Sequence, residues 1–255
     1  MSGSHAHALY YHGHSAVHRL APETKLVAQV LFVLTVVATP REAFWAFGLY
    51  ACIVLAAAAA AAIPFGFLLR RLAIEVPFVA FAFFLPLVGQ GERVDVLGIS
   101  LSVEGLWGAW NILAKATIGV MASALLASTT TTAEFLTGFD RLHVPRALTS
   151  IASFMVRYMD VIADDVRRMR IARLSRGFEG RWIWQARAIG QTAGALFIRA
   201  YERGERVYLA MLSRGYAGTM PEIGEVRATP RQWLTALAPT FVALPVCVFA
   251  WMQRS

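Results

Sequence analysis

Three groups of residues have types and spacings that could do chemistry. Five of the six histidines, His5, His7, His12, His14 and His18, fall within 14 residues of one another, and imidazole suits cobalt, nickel and zinc. No Cys or Asp lies near them, and His5 follows Met-Ser-Gly-Ser. A solvated tail therefore accounts for His5, His7, His12 and His14 better than a metal relay does, while His18 belongs with the residues leading into the first apolar run. Asp164-Asp165 invites comparison with the aspartate-rich metal motif of prenyl-transfer enzymes, but the chain continues Val166-Arg167-Arg168, without the downstream aspartate that motif needs. The third group is a repeat. Ser175-Arg176-Gly177 and Ser213-Arg214-Gly215 place two arginines 38 positions apart, each followed by an aromatic, Phe178 and Tyr216. An arginine at the last turn of a helix is favoured by the helix dipole. Beside a glycine it projects a fork of donors towards a carboxylate or carbonyls on a partner. Two matched copies imply two equivalent docking sites, and hence a partner that is itself dimeric.

The elements carrying these residues belong to a membrane protein. The chain has 255 residues, 57% hydrophobic and only 16% charged, against about 45–50% and about 25% in soluble domains; the mean hydropathy is +0.54. Disorder is excluded and a soluble enzyme disfavoured. Five apolar stretches are long enough, or nearly so, to cross a bilayer: Leu26–Thr39, closed by Pro40; Ala43–Leu69, with an alanine run before Pro64; Leu72–Gly89; Gly105–Ser128; and Trp233–Met252. Residues 1–25 have no apolar core and so do not read as a signal peptide. Cys52 and Cys247 sit far apart inside apolar runs and read as small buried hydrophobes rather than a disulfide or metal pair.

Charge sets the orientation. Of 24 Lys+Arg, 22 are Arg, and 16 of the 24 lie between Glu134 and Arg231 beside 10 acids. A basic patch can bind nucleic acid, but bunching in one segment of an apolar chain follows the positive-inside rule. With that segment in the cytoplasm, the N-terminus with Arg19 and Lys25 is also inside, as are Arg70 and Arg71 between spans two and three. The loop bearing Glu92, Arg93, Asp95 and Glu104 lies outside, and so does the C-terminus.

Residues 129–232 are too polar to span and too periodic to be loop. Thr131 and Glu134 have the form of a capping box for a helix Ala133–Leu142, stopped by His143-Val144-Pro145, with Pro145 in the first turn of the next helix. There Ile151, Met155, Tyr158, Ile162, Val166 and Met169 form one apolar stripe, with an Asp164–Arg168 pair outside it. A second helix starts near Trp184 with a stripe of Ile189, Ala193, Leu196, Ala200, Gly204, Val207 and Met211, and a Glu202–Arg206 pair. Gly177 and Gly215 are natural left-handed stops. Within the spans, Glu75 and Lys115 are ionisable and so functional candidates by default. Glu75 lies near Arg70 and Arg71, while Lys115 could pair with an acid on another helix or on a partner, Glu75 being one possibility.

These residues resemble the transmembrane T component of energy-coupling factor (ECF) transporters, in particular the cobalt-type CbiQ family. The resemblance rests on His18-Arg19-Leu20-Ala21-Pro22-Glu23-Thr24-Lys25-Leu26, on Leu125–Glu134 with Leu142-His143-Val144-Pro145, on Arg157-Tyr158, and on the two Ser-Arg-Gly copies, which stand where the family has Ala-Arg-Gly. It implies an all-α integral membrane protein of about five transmembrane helices plus a cytoplasmic unit of long amphipathic coupling helices. Its parts would be an N-terminal cytoplasmic tail (1–25), transmembrane helices one to four (26–128), coupling helices (129–232), and a fifth transmembrane helix with the C-terminus (233–255).

The implied function is the coupling subunit of an ATP-driven uptake transporter in the plasma membrane. Ser175, Arg176, Gly177, Ser213, Arg214 and Gly215 would dock two ATP-binding-cassette ATPase subunits, whose closure the crossing helices transmit to a membrane-embedded substrate-capture subunit. The chain itself would bind no cofactor and no metal, and ATP would be hydrolysed by its partners. A Walker A loop needs Gly-Lys-[Ser/Thr], whereas the two lysines here follow Thr24 and Ala114. Cobalt as substrate rests wholly on the resemblance; nickel, a vitamin, or a lipid- or isoprenoid-directed enzyme are the alternatives.

Overall fold

The computed structural model describes residues 11, 13, 15–89, 92–96, 99–177, 186–218 and 228–253. The described chain is helical apart from one small hairpin, in the order α1 (Pro22–Ala38), α2 (Phe44–Ala60), α3 (Phe65–Arg71), a 3₁₀ turn (Leu72–Glu75), α4 (Val76–Val88), β1 (Arg93–Val96), β2 (Ile99–Ser102), α5 (Val103–Thr129), α6 (Thr132–Arg141), α7 (Arg146–Ser175), α8 (Ala186–Leu212) and α9 (Pro230–Met252). Its described residues form two compact units: those from 143 to 218, with α7 and α8, and those from 11 to 142 with 228 to 253, holding the other elements.

In the larger unit three helical runs are long and apolar enough to cross a membrane: Phe65–Val88, Val103–Thr129 and Pro230–Met252. The apolar α2 is shorter, and α1 has 17 residues. The boundary expected at Leu69 moves. α2 stops at Ala60, Ala62 adopts a left-handed φ of 55°, and Pro64 holds an extended conformation as the N-cap of α3. Pro64 excludes helical geometry from the residue before it, so the alanine run cannot continue. Phe65–Leu69 therefore begin the next run, and Arg70 and Arg71 lie inside that run rather than in a loop. Arg71 covers the Phe67 ring at 4.9 Å. A 3₁₀ turn joins α3 to α4 where Pro77 withholds a backbone donor.

The core is aromatic and small-residue packing among α1, α2, α5 and α9: Phe32, Val36, Phe47, Tyr50, Ile118 and Ala243 are all buried. Tyr50 is fully covered, and its hydroxyl meets the Thr39 hydroxyl at 2.9 Å and donates to the Ala243 carbonyl at 3.4 Å. α4 and α5 approach so closely that a Cβ at Gly105 would collide with the Leu85 carbonyl. The β1–β2 hairpin is antiparallel, Arg93 opposite Ser102, and the Ser102 hydroxyl then caps α5 by accepting from the Gly105 N–H. Cys247 is buried as expected, but Cys52 is exposed on the outer face of α2.

The capping box forms: the Thr131 hydroxyl accepts from the Glu134 N–H and the Glu134 carboxylate from the Thr131 N–H. α6 packs on α1. His143 turns the chain at φ 60°, and Pro145 is the N-cap of α7 rather than its first helical residue. The start expected near Trp184 lies outside the described residues.

Candidate functional site

Within the helical pair, each Ser-Arg-Gly ends its helix by the same set of bonds. At the end of α7 the Ser175 hydroxyl donates to the Ala172 carbonyl at 3.0 Å, the Arg176 N–H to the Arg173 carbonyl and the Gly177 N–H to the Leu174 carbonyl. At the end of α8 the Ser213 hydroxyl donates to the Ala210 carbonyl at 3.0 Å, the Arg214 N–H to the Met211 carbonyl and the Gly215 N–H to the Leu212 carbonyl. Gly177 and Gly215 sit at φ 74° and 82°, the left-handed geometry that glycine adopts without strain. Both arginines and both serines are exposed. The serine hydroxyl, extra to the alanine it replaces in the family pattern, is thus spent on the last turn of its own helix. The aromatic at Phe178 lies outside the described residues; Tyr216 is half-buried.

The covered face of each helix differs from the apolar stripe. On α7 the covered residues are Phe154, Tyr158, Ile162, Asp165, Met169 and Arg173, together with Thr149, Ser150, Ala152, Ser153, Val156 and Asp164, while Ile151, Met155 and Val166 are exposed. On α8 they are Thr192, Leu196, Ala200, Arg203, Val207 and Met211, while Ile189, Ala193 and Gly204 are exposed. A buried polar residue of the first set meets its counterpart in the second: Asp165 Oδ2 accepts from Arg203 at 2.8 Å. Its Oδ1 accepts from Arg168 at 2.7 Å, so the expected Asp164–Arg168 pair gives way to Asp165–Arg168 one register over. These two guanidinium bonds, Arg168's first, hold the Asp165 carboxyl below the ordinary aspartate range. The Glu202–Arg206 pair stands at 4.0 Å.

In the membrane unit the lead-in residues are a junction. Glu23, buried, accepts a forked bond from Arg141 on α6 with both contacts at 3.2 Å and also takes the Ala228 N–H ahead of α9. Lys25 is buried and donates to the His18 and Thr129 carbonyls. The Thr24 hydroxyl closes on Ala21. His18 bonds the Ser15 hydroxyl and the Tyr11 carbonyl, which is the structural role expected for it. His5, His7, His12 and His14 lie outside the described residues.

Lys115 and Glu75 do not pair. Glu75, buried, accepts from the Thr117 hydroxyl at 2.7 Å, and Lys115 donates to the Val37 carbonyl at 2.7 Å. The reason lies in α1, whose 17 residues reach about 26 Å, short of a hydrocarbon core of about 30 Å. Its last four carbonyls have no intrahelical partner, and Pro40 supplies no N–H. All four are met: Thr35 by the Thr39 hydroxyl, Val36 by the Thr39 N–H, Val37 by Lys115, and Ala38 by the Trp251 indole at 2.9 Å.

The family of the cobalt transport protein CbiQ matches residues 13–224. The chain belongs to the CbiQ family. Its similarity extends to the energy-coupling factor transporter transmembrane protein EcfT of Bacillus subtilis, 27% identical over 256 residues and 94% of each chain, and to that of Listeria innocua, 25% identical over 253 residues and 93% of each. With the cobalt transport protein CbiQ of Rhodobacter capsulatus it shares 30% identity over 126 residues, 48% of this chain and 50% of that one. Both arginine caps and the Asp165–Arg203 pair lie inside the CbiQ match. The 38-residue offset applied to the charged positions of α7 gives two opposite-charge matches, Asp165–Arg203 and Arg167–Glu205, of which only the first is covered; nothing local marks the Glu23–Arg141 pair.

Proposed function

We propose that this CbiQ-family chain is the transmembrane coupling subunit of an ECF-type uptake transporter, for cobalt, and that it catalyses nothing itself. The observation that carries this reading is the pair of exposed arginine caps, each closed by the same serine, arginine and glycine bonds, on two long helices. Arg176 and Arg214 each enter a groove of one ATP-binding-cassette ATPase subunit, with Ser175, Gly177, Ser213 and Gly215 fixing their direction. ATP is bound and hydrolysed by those subunits, and α7 and α8 transmit their closure to a substrate-capture subunit in the membrane. The two nucleotide states must hold the helices differently, which is the minimal content of coupling. The N-terminus lies on the cytoplasmic side of the plasma membrane, by the charge distribution of the loops. Cobalt is supported by the family's description and by the name of the Rhodobacter relative.

The test is capture of candidate ATPase subunits by the solubilised chain, comparing wild type with Arg176→Ala, Arg214→Ala and the double variant. Loss of a desolvated charge-assisted contact should cost about 2–5 kcal/mol per site. Each single variant should therefore bind visibly less and the double variant not at all. Undiminished capture by the double variant reduces both motifs to helix caps.

A further inference from the structure

We infer that α7 and α8 are related by a local two-fold axis passing through the Asp165–Arg203 pair, and that this pair fixes the spacing at which Arg176 and Arg214 are offered to a dimeric partner. The inference rests on the docking reading above and adds the residues that position the two caps.

The residues covered on both helices carry the argument. Phe154, Tyr158, Ile162, Asp165, Met169 and Arg173 on α7 correspond to Thr192, Leu196, Ala200, Arg203, Val207 and Met211 on α8, each pair separated by the same 38 positions that separate the two docking arginines. At a two-fold contact a residue meets its own counterpart on the axis. Asp165 and Arg203 are counterparts under that offset and touch at 2.8 Å, with the Asp165 side chain 9% exposed and that of Arg203 29%. Two of the flanking charges repeat, Asp164 as Glu202 and Arg168 as Arg206, whereas Arg167 corresponds to Glu205. Like charges at an axis repel, so a charged crossing is attractive only where the axial position differs in sign between the copies, as Asp165 and Arg203 do.

Each cap lies 11 residues beyond its member of the pair, about 16 Å of helix. Two stiff arms of equal length, measured from one axis, place the caps symmetrically about it. A partner with two equivalent grooves can accept both at once, and does so with the gain of a bivalent contact only while the spacing is held. Asp165 and Arg203 are thus positioning residues acting through Arg176 and Arg214.

The symmetry makes the test specific. Asp165→Arg combined with Arg203→Asp reverses the pair and passes the supporting role of Arg168 to Arg206, which lies the same three residues beyond. Spin labels at Ala172→Cys and Ala210→Cys, in a Cys52→Ala, Cys247→Ala background of the full chain in nanodiscs, should give one narrow distance. Asp165→Asn or Arg203→Gln should broaden it, and the reversal should restore it. With a candidate ATPase dimer as probe, Asp165→Asn should lower affinity by about tenfold or more, yet change nothing in an Arg214→Ala background, where a single cap needs no spacing. An unaltered distance in the single variants overturns the inference. So does a reversal that fails to restore it, or an affinity loss that persists with one cap and therefore reports folding. If the wild type captures no ATPase, the docking reading fails, and the distance measured on the chain alone still decides the clamp.

Discussion

Lys115 on α5 donates to the Val37 carbonyl at the end of α1 across 2.7 Å. A lysine within an apolar span ordinarily marks a transport path or a buried acid, but here it completes a helix too short for its solvent. Replacing it with methionine keeps the apolar stem and strands one carbonyl, which should cost about 1–3 kcal/mol. The expected result is a lowered unfolding midpoint in detergent with ATPase capture unchanged. A Lys115→Met protein that unfolds with the wild type rules out this role.

Glu23 offers a harsher case. Its side chain is 7% exposed and that of Arg141 19%, and the carboxylate also holds the Ala228 N–H. Arg141→Met leaves the acid buried without its cation, which should cost about 3–5 kcal/mol. Adding Glu23→Gln should recover part of that loss, because the neutral amide oxygen still accepts from Ala228. Thermal unfolding of the two variants, read as a double-mutant cycle with Glu23→Gln alone, measures both.

The apolar helices, the capping box and both cap glycines were legible in the sequence because each depends on local pattern: run length, Thr131 with Glu134, a glycine after a periodic segment. What was not legible depends on which neighbour a side chain meets. The stripe on α7 was read from hydrophobicity, yet the covered residues include Asp165, whose burial is compensated by arginines three and 38 residues away. Charge is the only cue the sequence offers for Lys115, and it points to an acid rather than to a carbonyl. The carbonyls at the end of α1 are invisible to composition and become partners only once α5 and α9 pack beside them. Two adjacent charges, Arg70 and Arg71, interrupt the hydropathy and so suggest a loop, whereas Pro64, six residues before Arg70, is what breaks the chain.

The two cap glycines should fail in a graded way. A Cβ at Gly177 or Gly215 meets nothing within 4 Å, so the penalty for Gly177→Ala or Gly215→Ala is purely one of backbone conformation, about 1–2 kcal/mol. Either the last turn unwinds or the following chain is redirected, and the arginine loses its fixed aim. ATPase capture should fall for alanine at either site and fall less for asparagine, which tolerates left-handed geometry. Equal effects of alanine and asparagine would show that conformation is not the cause.

Acid should open the pair of long helices, and the sign follows from Asp165. Its carboxyl is held below the ordinary range by Arg168 and then Arg203, with Asp164 the neighbouring acid. A group whose folded value is depressed contributes stability that is fully present above its unfolded value, about 3.9, and is lost as pH falls through the folded one. The distance between labels at residues 172 and 210 should therefore stay narrow down to about pH 5 and broaden only below about pH 4. Asp165→Asn should be broad at every pH, since its amide carries no charge to lose. A wild-type distance that broadens near pH 6 would assign the crossing to some other titrating group.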